Sequence, residues 1–175
     1  MAALNVLTFP HPLLKQKALP VTRFDDELKT LAADMLDTMY AEGGIGLAAN
    51  QVGQLKRLVV TDLQNEDEPR PGRRRPREPR VWVNPSLLAS SGEMVTEEGC
   101  LSVVDFRAEV KRAGRIRVRY QTLEGKTREE DLDGLAAVCL QHELDHLDGK
   151  LFIDRLPALR RQMVRKRLIK TQRTA

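Results

Sequence analysis

The chain has 175 residues, 41% hydrophobic and 31% charged, enough apolar material for one folded core and too much for global disorder. No apolar run approaches the roughly 20 residues of a bilayer span, and the opening Met-Ala-Ala-Leu-Asn-Val-Leu predicts neither a secretory signal nor a transit peptide. The net charge of +4 is uneven: residues 155–175 carry eight cations and no anion, which leaves −4 on residues 1–154.

Residues 1–175 read as a single domain. Leu28, Leu31, Ala32, Met35, Leu36 and Met39 recur at helical spacing and predict a helix over 25–40. Asp25, Asp26 and Glu27 suit its positive N-terminus, and Gly43 and Gly44 stop it. Residues 57–62 and 80–83 predict strands. Between them, 65–80 holds four Pro, one Gly, ten charges and no apolar side chain, which predicts a mobile loop joining two hairpin strands. Its Arg73-Arg74-Arg75 reads as solvated rather than as a nucleic-acid contact. Residues 115–120 alternate, with Ile116, Val118 and Tyr120 on one face and three Arg on the other, as a half-buried strand does. Leu123-Glu124-Gly125-Lys126 predicts a turn before a short strand at 127–132. Asp133 is the expected cap of a second helix over 134–147, closed by Gly149. Pro157 opens a basic last helix, whose apolar stripe starts with Leu156, Leu159 and Met163. Such a charged tail suits an anionic partner, and a solvated helix face is the plainer reading.

Three segments carry chemistry. His142-Glu143-Leu144-Asp145-His146 is an H-E-x-x-H on a predicted helix, with two of the chain's three His. At i and i+4 both imidazoles project from one face onto one ion, and Glu143 lies beside them to handle a proton. A catalytic site needs a third protein ligand. The chain continues to Gly149, but Phe152 stands where one metallopeptidase pattern has its third His. Cys139 lies about 10.5 Å along the helix from His146, too far to converge on bonds of about 2.0–2.3 Å. It reads as a buried pocket or core residue, and His11 in Pro-His-Pro as a turn residue. That leaves the carboxylates and Cys100. Cys100 sits in Glu97-Glu98-Gly99-Cys100-Leu101-Ser102, where Gly99 suggests an unusual backbone that aims the thiol and the next N–H into one cleft. The third segment, Gly43-Gly44-Ile45-Gly46-Leu47-Ala48-Ala49-Asn50-Gln51, permits close backbone approach and ends in an amide that can donate to an oxyanion. It has neither the ending of a P-loop nor the spacing of a dinucleotide fingerprint.

Together, Gly44-Ile-Gly46-Leu-Ala-Ala-Asn-Gln51, Glu98-Gly-Cys100-Leu-Ser102 and Gln141-His142-Glu143-Leu-Asp145-His146 resemble the peptide deformylase family in order and spacing. Asn84-Pro85, Arg107 and Gly149-Lys-Leu-Phe152 agree with it, and the similarity runs from about Val6 to Leu159. The resemblance implies an α+β fold, with mixed and antiparallel short strands around a central metal-binding helix and with an N-terminal and a C-terminal helix. It implies a hydrolase of protein biosynthesis that removes formyl from the N-terminal methionine of nascent chains. Its implied ligands are Cys100, His142 and His146. Glu143 is the implied acid/base, with Gln51 and the Leu101 N–H at the oxyanion. Peptide would add as a strand at Ile45 and Gly46, and Leu135, Val138 and Cys139 would wall the methionine pocket. The expected cofactor is one divalent ion, Fe(II), with Zn(II), Ni(II) and Co(II) also compatible with the donors. The expected setting is the cytoplasm, as a monomer without a membrane partner, with the basic C-terminal helix docking on the ribosome. Where bacterial members commonly have Pro two residues after the motif Ser, this chain has Val104, and its 65–80 loop is long. Two other readings share the metal site. One is a metallopeptidase of other specificity. The other is a ribosome- or RNA-binding module with a structural metal, which would need a carboxylate as fourth ligand.

Overall fold

The computed structural model describes residues 3–64 and 77–173. Most of the expected 65–80 loop therefore lies outside the described residues. Helix α1 spans Asp26–Ala41, capped by Asp25, whose carboxylate accepts from the Leu28 N–H at 3.1 Å. Strands β1 (Gly46–Ala48), β2 (Leu58–Thr61), β3 (Arg80–Ser91), β6 (Arg115–Gln121) and β7 (Thr127–Asp133) form one antiparallel sheet in the order β1-β2-β3-β6-β7. Strands β4 (Met94–Cys100) and β5 (Val103–Arg112) form a separate antiparallel hairpin. Helix α2 spans Gly134–Leu147 and helix α3 spans Ala158–Arg173. The architecture is α+β as expected; among the described residues the parallel pairing is confined to an isolated bridge between Leu19 and Lys56.

The β2 sequence Leu-Val-Val-Thr is buried at all four positions because both faces of the sheet are covered there. Leu58 and Val60 pack with Leu28, Ala32, Met35 and Met39 of α1, while Val59 packs with Ala137, Leu140, Leu144 and Leu147 of α2. Helix α2 is thus held between the large sheet and the β4–β5 hairpin.

Strand β3 runs eight residues beyond the expected 80–83. The Asn84-Pro85 pair marks a register shift within the strand rather than its end: Asn84 has φ +48°, and pairing resumes at Ser86. The Asn84 amide replaces a strand neighbour. Its Oδ1 accepts from the Val21 N–H at 2.7 Å and its Nδ2 donates to the Val21 carbonyl at 2.9 Å.

Two other expectations need correction. Asp133 occupies the position before α2, but its side chain makes no capping bond. Leu159 and Met163 of α3 are 73% and 64% exposed. The stripe that docks α3 is Val164, Leu168 and Ile169, packed with Phe9, Val103, Phe106 and Phe152. Gly99, by contrast, sits as expected at an irregularity: the β4–β5 register shifts between Glu98 and Cys100 without a positive φ, and a Cβ at Gly99 would meet the Arg107 guanidinium at 2.7 Å. Gly149 ends α2 as expected at φ +77°, and any Cβ there would overlap the Lys15 carbonyl. The close crossing of the N-terminal segment therefore requires glycine.

Candidate active site

His142 and His146 project from one face of α2, one turn apart, with their Nε2 atoms 3.2 Å from each other. Cys100 ends β4 and brings its Sγ to 3.3 Å from His146 Nε2. The three donor atoms all lie within 4.8 Å of one another. Bonds of about 2.1 Å to nitrogen and 2.3 Å to sulfur at the tetrahedral angle require donor separations of about 3.4–3.6 Å. A thiolate and two imidazoles at these distances fit one small divalent ion. Cys139, excluded by helical spacing, is not part of this group.

The cleft above the triad has a volume of about 420 Å³. Ile45 and Gly46 form one wall, at the start of the outermost strand of the sheet. Leu135, Val138 and Cys139 of α2 form the apolar wall, and Gln51, Cys100, Leu101, His142 and Glu143 complete the lining. His146 is 1% exposed, beneath the floor. Every residue expected at the site from the sequence is therefore in this one region. A larger cavity, about 630 Å³, lies across α2 and is lined by charged pairs. It does not contain the triad, so size is not the guide to the site.

Gly46 has a specific reason to be glycine. A Cβ there would stand 2.7 Å from Glu143 Oε1 and 3.1 Å from Cys139 Sγ. The small residue lets the Glu143 carboxylate lie against the strand edge. Glu143 is 4% exposed, its Oε2 has no partner among the described residues, and burial pushes its pKa up to about 7. Burial also raises the Cys139 thiol pKa, keeping it neutral as a packing group. The Gln51 amide is fixed by its Oε1, which accepts from the Ala48 N–H at 2.9 Å. Its Nε2 donates to Ser102 Oγ at 3.0 Å and points to Cys100 Sγ at 3.6 Å. The Ser102 N–H points to the same sulfur at 3.4 Å.

Sequence reasoning missed the support of His142. His142 Nδ1 lies 2.8 Å from Glu98 Oε1. Donation to that carboxylate leaves Nε2 free to face an ion. Glu98 is held by Arg112, through Nε at 2.6 Å and Nη2 at 2.9 Å. Arg112 Nη1 reaches Asp145 at 2.9 Å, and Arg155 grips Asp145 at 2.7 and 3.0 Å. Burial opposes charge on Glu98, yet the bonds from His142 and Arg112 hold its pKa below the usual value. Asp145 is likewise held low against burial, first by Arg155 and then by Arg112. The available signal was phase: Ala108, Val110 and Arg112 are the buried positions of an alternating strand, so Arg112 lies on the core face.

A family model described as polypeptide deformylase matches residues 3–162. The chain is 50% identical to a peptide deformylase of Novosphingobium aromaticivorans, with all of both chains covered. It is 48% identical to that of Phenylobacterium zucineum, again over both whole chains. Among solved structures, a peptide deformylase from Legionella pneumophila is 43% identical with a TM-score of 0.86, covering 99% of this chain and 97% of the other. A plant peptide deformylase is 33% identical with a TM-score of 0.88, covering 99% of this chain and 91% of the other. Identity near one half along entire chains, on a shared fold, leaves one assignment: this chain belongs to the polypeptide deformylase family.

Proposed function

We propose that the chain removes the N-formyl group from the N-terminal methionine of nascent polypeptides by hydrolysis, releasing formate, with one divalent ion held by Cys100, His142 and His146. The observation that carries this reading is the convergence of the three donor atoms within 4.8 Å, beneath a cleft walled by an outermost strand. An ion there would supply Lewis acidity, which lowers the pKa of water from 15.7 towards about 7 and polarises a carbonyl. The remaining work falls to side chains and backbone. Ile45 and Gly46 bind the peptide by strand addition and bring the formyl group over the triad. Because formyl is small, recognition rests on the methionine side chain, which enters against Leu135, Val138 and Cys139. Glu143 takes the proton of the attacking water on its carboxylate and returns it to the leaving amine. Gln51 Nε2 and the Leu101 N–H donate to the developing oxyanion, Gln51 giving up its weak bond to sulfur to do so. Loss of one such donor costs about 2.7–4 kcal/mol.

Fe(II) is the ion we assign, on the family resemblance; the mixed thiolate and imidazole set also suits Zn(II), Ni(II) and Co(II). The enzyme works in the cytoplasm as a monomeric single domain, where its two cysteines remain thiols. No helix is long and apolar enough to cross a membrane among the described residues. Ribosome docking through α3 is supported by the exposed Arg160, Lys166 and Arg167. Arg161 and Arg165 serve the fold instead: Arg161 donates to the Asp154 carbonyl and Arg165 pairs with the Asp154 carboxylate. The test is anaerobic formate release from formyl-Met-Ala beside cleavage of an unformylated peptide with internal bonds. Formate release without internal cleavage supports the reading; internal cleavage alone makes the chain a peptidase.

A further inference from the structure

We propose that Arg155 is a positioning residue for His142, acting through Asp145, Arg112 and Glu98 from outside the cleft. The inference rests on Cys100, His142 and His146 being the metal ligands. Arg155 ends the 3-10 turn Phe152–Arg155 and lines the 630 Å³ cavity on the far side of α2 from the cleft. Its side chain is 46% exposed, so it has no role in filling the core. Its Nη2 and Nε nevertheless hold both oxygens of Asp145, at 2.7 and 3.0 Å.

Each link constrains the next. Asp145 Oδ2 also accepts from Arg112 Nη1 at 2.9 Å, so the carboxylate cannot turn without releasing one of its two guanidinium partners. The Arg112 side chain is 3% exposed, and among the described residues its ion pairs are with Asp145 at one end and Glu98 at the other. A buried cation keeps its place when every partner is fixed. Without Arg155, the Asp145 carboxylate opens towards the far cavity and loses its fixed plane. Arg112 then has one loose anchor, its two-pronged hold on Glu98 slackens, and the acceptor that orients His142 Nδ1 moves with it. The other cations facing that cavity do not enter this chain. Arg57 binds Asp148 and the Leu147 carbonyl, and Lys111 binds Glu93.

The experiment uses Co(II)-loaded protein: wild type, Arg155→Met, Arg155→Lys and Arg57→Met. Three quantities are read: cobalt transfer to an excess of chelator, the visible ligand-field spectrum, and kcat separately from KM. Partners of ligating histidines typically change metal affinity 10–100-fold. At three links' remove we expect Arg155→Met to release cobalt about tenfold faster, with altered visible bands and a lower kcat at unchanged KM. Arg155→Lys, which keeps charge but not the fork, should fall between, and Arg57→Met should match wild type. Wild-type release and spectrum in Arg155→Met, even with a lowered melting temperature, would overturn the proposal and leave Arg155 a purely structural residue. Failure of the ligand assignment would look different: wild type itself would bind cobalt without a thiolate charge-transfer band.

Discussion

Replacing Gly46 with Ala tests how closely the strand edge and the acid/base group must fit. The new methyl would stand 2.7 Å from Glu143 Oε1 and 3.1 Å from Cys139 Sγ. Carbon–oxygen contacts settle at about 3.3–3.6 Å, so the carboxylate must retreat by about 0.6–0.9 Å. A misplacement of 1 Å can cost about a hundredfold in rate. We therefore expect kcat/KM for formyl-Met-Ala to fall roughly 30- to 100-fold, because the carboxylate at the end of the flexible Glu143 side chain shifts towards the cleft and away from its place against the strand. Overpacking costs typically about 1–3 kcal/mol, offset by about 0.5 kcal/mol from a less flexible unfolded chain, so the melting temperature should drop only a few degrees. Metal content should not change. The assay is formate release with metal analysis, repeated in the Glu143→Gln background. If the methyl acts through Glu143, its added cost there should be small, because coupled sites are not additive. Unchanged kcat/KM in Gly46→Ala, or an equal loss in both backgrounds, would refute this reasoning.

Glu143→Gln should keep its metal and lose at least about a hundredfold in kcat, measured with fully loaded protein. Gln51→Ala should lose roughly 10²- to 10³-fold in kcat and, because Gln51 also faces Cys100 Sγ, should shift the cobalt–thiolate band. Changing Arg160, Lys166 and Arg167 together to Gln should leave dipeptide turnover intact and flatten the salt dependence of ribosome binding by roughly two to three units of log–log slope; an unchanged slope argues against docking by α3. Iron-loaded protein should lose activity in air as Cys100 is oxidised, and cobalt or nickel loading should protect it, with thiol titration alongside formate release as the check.

Much of the site was legible because its chemistry is compressed into short runs. His142 and His146 share a helix face by spacing alone, and α1 showed itself through six apolar positions with one period. The β4–β5 hairpin did not, because in Met94–Cys100 apolar residues do not mark the inner face: Val95 is exposed and the one buried residue is Glu98, held by Arg112 and His142. Once that strand pair is missed, the phase of Arg112 is invisible, and with it the ion pairs behind His142. Strand β3 was cut short since Asn84-Pro85 normally ends a strand; here the Asn84 side chain supplies the missing neighbour through Val21. The stripe of α3 was misplaced for a related reason. Leu159 and Met163 have helical spacing, but which apolar stripe a helix buries is decided by what it meets, in this case Phe106 and Phe152 near Val164. Cys100 and Cys139 were separable by helix geometry, whereas the choice of Cys100 over a carboxylate came from the family likeness and agrees with the distances.

The most direct test of the central claim is titration of metal-free protein with Fe(II) under anaerobic conditions, read as formate release from formyl-Met-Ala. The account predicts no release without metal and a linear rise that saturates at one ion per chain. It also predicts no recovery in Cys100→Ala or His142→Ala at that stoichiometry. Turnover by the metal-free chain, or full recovery in either variant, would contradict it.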